Sequence, residues 1–303
     1  MPRITFLDNA KQGENNWWKY ISTIFLTWGT PMVFELVILI IFLFYVMPPS
    51  INMAGNLLQI LSNPLVLIAI LGVSSVISLL FLYICMNYIH HRKFISLINT
   101  DSRFSWSRVL KGGSIWFALF TIGILLSLII DPSGLKITFN PKTFGFLLIL
   151  SLLVFPIQAS FEELFFRGYL MQGFGLLSKK PVVPLILTSI IFAAIHYFNS
   201  MNTIMSIDIV LQAFIIGTTL GIIALGENRI ETAMGVHISN NIFASVIANN
   251  PIPFTQNLPS VFTLTAPPNP LLDTAGTAVY GIILMVIIFW GKKENLLGIF
   301  RQT

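Results

Sequence analysis

Eight blocks of mostly apolar residues, each near the length needed to cross a bilayer, punctuate this chain at about 28–46, 65–86, 115–130, 143–166, 183–199, 204–225, 232–249 and 273–290. Blocks of that length leave few options, because backbone polar groups in lipid must be satisfied within helices or a closed barrel. A barrel would show short alternating segments instead. Only 10% of the residues are charged, far below the share in a soluble domain. The expected fold is therefore all-α: a polytopic membrane protein with about eight transmembrane helices.

The basic residues orient this frame. With the N-terminus inside, every Lys and Arg except Lys136 and Lys142 falls on the cytoplasmic side, as the positive-inside bias requires. An even number of spans then puts both termini in the cytoplasm. The net charge of +5 follows from the same bias, and no basic stripe suggests nucleic acid. Cys85 is the single cysteine, so no internal disulfide forms. The N-terminal region has no signal-peptide pattern. One integral domain is expected, with three parts. Residues 1–142 hold spans one to three and an amphipathic cytoplasmic segment at 87–114; residues 143–249 hold the chemistry; residues 250–303 hold an outer loop and the last span. The loop at 249–272, rich in Pro and Asn, reads as irregular and exposed.

Charge inside such blocks is costly and marks function. The stretch Phe155-Pro-Ile-Gln-Ala-Ser-Phe-Glu-Glu-Leu-Phe-Phe-Arg-Gly168 carries Glu162, Glu163 and Arg167. Glu163 and Arg167 are four apart and share a helix face. Glu162 is rotated by about 100°. This spacing assigns Glu163 and Arg167 to a supporting ion pair and leaves Glu162 for general-base work. His196 shares a face with Phe192, and His237 shares one with Asn241. Glu162 and His196 are nearly equidistant from the basic turn at Lys179 and Lys180, so an antiparallel hairpin brings them level at about 24–26 Å from it. His237 lies only about 12 Å from Arg229. The depths agree if spans four and five project about 10–15 Å into the cytoplasm.

The set Glu162-Glu163-x-x-x-Arg167, Phe192-x-x-x-His196 and His237-x-x-x-Asn241, in that order, resembles the CPBP intramembrane proteases, the group of the CAAX prenyl endopeptidases also called Abi. The resemblance covers roughly residues 143–249. It implies an intramembrane endopeptidase without a cofactor. Glu162 would activate water with His196 as partner, His237 and Asn241 would donate to the oxyanion, and Glu163, Arg167 and Phe192 would support them. The resemblance does not carry the substrate over; the leading expectation is a peptide or protein substrate, prenylated or hydrophobic near its C-terminus, cleaved by an integral membrane protein of the plasma membrane if the source is prokaryotic. Three alternatives stay open: a zinc protease using Glu162, His196 and His237; a proton-coupled transporter; and a non-catalytic scaffold or immunity protein.

Overall fold

The computed structural model describes residues 5–42, 62–178, 180–200, 202–250, 257–265 and 269–301, with 55 and 60 in isolation. Residues 43–46 of the first apolar block, Arg3 and Lys179 lie outside them. Nine helices are described: α1 Trp17–Ile41, α2 Pro64–Ile89, α3 Trp106–Ile130, α4 Pro141–Gly175, α5 Val182–Asn199, α6 Thr203–Glu227, α7 Glu231–Ile242, α8 Pro270–Ile288 and α9 Lys293–Arg301. The protein is an all-α, multi-pass integral membrane protein. Among the described residues, α1 to α6 and α8 are the seven helices long and apolar enough to cross a membrane.

The block at 232–249 is not among the seven. It forms α7 and a π-helical continuation, Phe243–Ile247. Glu231, Thr232, His237 and Ser239 of α7 are buried, so this helix is enclosed by the bundle and is too polar to pass as a lipid-facing span. The outer faces of the other helices are apolar, with Phe25, Ile129, Phe146 and Leu153 exposed. That is the arrangement a lipid solvent requires.

Local sequence explains several helix starts. Asn63-Pro64, Asn140-Pro141 and Asn269-Pro270 each open a helix, and each Asn accepts a hydrogen bond from a first-turn backbone N–H. Asn caps free N–H groups, and Pro at the first position loses none that the helix needs. Asn228 ends α6 in the left-handed region at φ 55°, a conformation short polar residues tolerate.

Several of the expected boundaries move, α1 beginning at Trp17 rather than 28. Helix α3 begins at Trp106 rather than 115, with Arg108 paired to Glu227 of α6 at 3.0 Å. Helix α4 runs on through Gly173 to Gly175, with a π-helical stretch at Leu164–Leu170. At 35 residues it is on the order of 50 Å long, beyond the roughly 30 Å hydrocarbon core. Its far end is enclosed by protein: Gly168 meets Leu97, Gly173 meets Tyr20 and Gly175 meets Leu7. The segment read as amphipathic divides in two. His90, Arg92, Leu97 and Asn99 are buried, whereas Arg103 and Trp106 are exposed. Its inner part is held by the N-terminal 3-10 turn Leu7–Gln12, where the Asn9 amide donates to the Ser96 and Asn99 carbonyls at 2.9 and 3.0 Å.

Of the loop at 249–272, residues 251–256 and 266–268 lie outside the described residues, and the described part holds regular structure that its composition does not suggest. Strand β3 (Phe262–Leu264) pairs antiparallel with β1 (Leu135–Ile137) and parallel with β2 (Ala248–Asn249). Leu258 and Ser260 are buried. The Ser260 hydroxyl donates to the Ser245 carbonyl at 2.5 Å, which ties the loop to the end of α7.

Candidate active site

Helices α3, α4, α5, α6 and α7 meet at the motifs. Small residues permit the approach. A methyl group at Gly112 of α3 would overlap the Thr232 carbonyl, and one at Gly235 of α7 would overlap the Val109 carbonyl. These backbones therefore touch, as small-residue interfaces in membranes allow. Gly217 of α6 sits against Phe192 and Ser189 of α5, and Gly221 against Leu185, so the Gly217-x-x-x-Gly221 spacing is a packing face.

Glu163 is fully buried, and its Oε1 receives two donors. Arg167 Nη1 lies 2.7 Å away and His237 Nδ1 lies 2.8 Å away. The second guanidinium nitrogen of Arg167 donates to the Gly217 carbonyl at 3.1 Å. The Arg167 guanidinium also stacks 4.5 Å over the Phe192 ring. The ion pair expected from the four-residue spacing is present, and it additionally anchors α6 and α7.

Glu162 stands apart from that pair. Its Oε1 accepts from Gln158 Nε2 at 2.5 Å. Its Oε2 carries no hydrogen bond and faces His237 Nε2 at 3.5 Å. The neighbouring acids thus address opposite edges of one imidazole. Because Glu163 is an acceptor already paired with Arg167, His237 Nδ1 carries a proton and donates it to Glu163, and Nε2 is the nitrogen turned toward Glu162.

Asn241 joins the same cluster. Its Nδ2 donates to Gln158 Oε1 at 2.7 Å, and its Oδ1 accepts from Asn240 Nδ2 at 3.1 Å. Asn240 Oδ1 in turn accepts from Trp116 Nε1 of α3 at 3.2 Å. Gln158, Asn240 and Trp116 were not picked out by the motifs. The available signal for Gln158 was its position, one helical turn before Glu162 in an apolar stretch.

His196 is level with the acids but does not touch them. Phe192 packs on Phe166 and Arg167, so in the antiparallel α4–α5 hairpin the next turn of α5 faces Glu162 and Glu163. The His196 Nδ1 is hydrogen-bonded to its own-turn Phe192 carbonyl at 2.7 Å. The Phe192 ring lies 4.6 Å from the His196 ring and 5.9 Å from the His237 ring. The structure therefore joins Glu162, Glu163, Arg167, His237 and Asn241 by polar contacts, and brings in His196 through Phe192. Among the described residues no three His, Cys, Asp or Glu side chains group as metal ligands.

A buried carboxylate–imidazole–amide cluster in a multi-pass helical bundle defines the class: a membrane-embedded protein built for polar chemistry. Residues 144–243 match the family described as Type II CAAX prenyl endopeptidase Rce1-like, in agreement with the resemblance to the CPBP, or CAAX-protease, family. The chain is also 27% identical over 286 residues to "Uncharacterized protein YyaK" of Bacillus subtilis (strain 168), covering 94% of this chain and 95% of the relative. No solved structure matches.

Proposed function

We propose that this protein is a glutamate-type intramembrane endopeptidase that cleaves a peptide bond near the C-terminus of a prenylated or hydrophobic substrate. The family match supports the CAAX-type endopeptidase class. One observation carries the assignment of Glu162: one carboxylate oxygen is held by Gln158, while the other, unbonded, faces His237 Nε2 in a buried pocket of polar groups.

In this reading Glu162 Oε2 takes a proton from water, and the oxygen attacks the scissile carbonyl. His196, whose Nδ1 is held by the Phe192 carbonyl, orients the water through Nε2. The tetrahedral oxyanion is met by His237 and by the Asn241 amide. Glu162 then returns the proton to the leaving amine.

The test is cleavage of prenylated and unprenylated peptides by the purified protein. Glu162→Gln is expected to lower turnover at least about 100-fold, the lower end for a lost general base, with the melting temperature unchanged. Full turnover by this variant would remove Glu162 from the mechanism. Equal rates on both peptides would remove the prenyl group from the specificity.

A further inference from the structure

We propose that Gln158 is a positioning residue, the last amide of a relay that runs from Trp116 through Asn240 and Asn241 to Glu162 and fixes which atoms the site presents. The inference rests on the peptidase reading above for its catalytic consequence, but not for its structural one. The relay consists of four consecutive hydrogen bonds, 3.2, 3.1, 2.7 and 2.5 Å long, that cross from α3 to α7 to α4.

Its polarity is set at both ends. The Trp116 indole N–H can only donate, so Asn240 must turn its oxygen toward α3. Its amino group then faces Asn241 Oδ1, which leaves Asn241 Nδ2 to face Gln158 Oε1. Gln158 Nε2 ends the chain on Glu162, whose carboxylate only accepts. Turning any one amide over would set donor against donor and acceptor against acceptor at its two junctions. Such mismatches are costly in a network that is half-buried at Asn240 and Asn241 and buried at Trp116 and Gln158.

The consequence lies at Asn241. One of its N–H groups is engaged by Gln158, and the other is left for a substrate oxygen. If the relay is cut, the amide is free to rotate and present Oδ1, an acceptor, to a developing oxyanion. Gln158 touches neither substrate nor water in this scheme; it acts through Glu162 and Asn241.

Two measurements on the full-length protein in detergent test this. The first is kinetic. Gln158→Met keeps the length and removes both hydrogen bonds; it is expected to lower kcat about 10-fold to 100-fold with KM unchanged, the range for a lost bond to a charged group. Trp116→Phe is expected to lower kcat about 2-fold to 10-fold. In the Gln158→Met background Trp116→Phe should add less than about 2-fold, because the chain is already broken. A Trp116→Phe effect that multiplies fully onto Gln158→Met overturns the relay, as does a Gln158→Met kcat within about 2-fold of the parent. The second measurement needs no turnover. The Trp116 indole N–H resonance, identified among six tryptophans by Trp116→Phe, should move on Gln158→Met and stay put on the lipid-facing Leu153→Ala. An unmoved resonance also overturns the relay. If the parent protein cleaves no peptide, the peptidase reading fails while the resonance still decides the relay.

Discussion

His237 Nδ1 lies 2.8 Å from Glu163 Oε1, the same oxygen that Arg167 Nη1 reaches at 2.7 Å. One carboxylate oxygen therefore ties α7 to the middle of α4 and sets the edge of the imidazole that faces Glu162. In the proposed reading, Glu163 aims His237.

That pairing sets the cost of breaking it. Arg167→Met leaves the Glu163 charge buried and opposed only by His237, and is expected to destabilise the protein by about 3–5 kcal/mol. The double variant Glu163→Gln, Arg167→Met removes both charges and should recover part of that loss. Thermal unfolding in detergent measures both. A double variant no more stable than Arg167→Met would show that the charges are not the issue.

Backbone contact between α3 and α7 makes a second expectation. Gly235→Ala must push α7 away from Val109, at about 1–3 kcal/mol or more, and displace His237 and Asn241 with it. Gly145→Ala in α4 meets nothing within 4 Å and should be neutral or stabilise by up to about 1 kcal/mol. Melting temperatures and cleavage rates of the two variants should therefore move apart.

A strong chelator separates the two hydrolytic chemistries. Turnover within about 2-fold of the untreated protein is expected if Glu162 works without a Lewis acid. Loss of turnover that added zinc restores would assign a metal to the site.

His90 provides a pH dependence outside the spans. It is 2% exposed, with Nδ1 at 2.8 Å from the Glu14 carbonyl and Nε2 at 2.9 Å from the Tyr169 hydroxyl. Burial holds its pKa below the ordinary 6.5; the Glu14 carbonyl opposes this and the Arg92 and Lys19 cations add to it. The unfolded chain thus binds more protons just below pH 6.5, so this contribution to stability is complete above that value and declines as pH falls beneath it. Melting temperature measured from pH 7 to pH 5 should drop more in the parent than in His90→Gln.

Much of the site was readable because its chemistry is out of place in lipid. Glu162, Glu163, Arg167, His237 and Asn241 stand out as polar residues at helical spacing in greasy blocks, and the structure gathers them. Gln158 and Asn240 carry the same kind of signal more weakly, as single amides without a motif partner. Trp116 carries none, since an indole in an apolar helix reads as packing. The docking of Asn9 onto residues 96–99 and the pairing of β3 with β1 depend on contacts between distant segments, which local pattern does not encode. The eighth span, α7, is not among the seven long apolar helices of the described residues, and for a physical reason: a helix enclosed by other helices need not be apolar.

The widened turns at Leu164–Leu170 give the middle of α4 a particular sensitivity. A π-helical stretch accommodates an additional residue within an otherwise regular helix. Which way Glu162 and Glu163 look, relative to the anchored end at Gly168–Gly175, is therefore governed by arithmetic as much as by chemistry. Removing a single residue there would swing both carboxylates by about 100° around the helix axis, a change of heading that no substitution at the acids themselves could imitate.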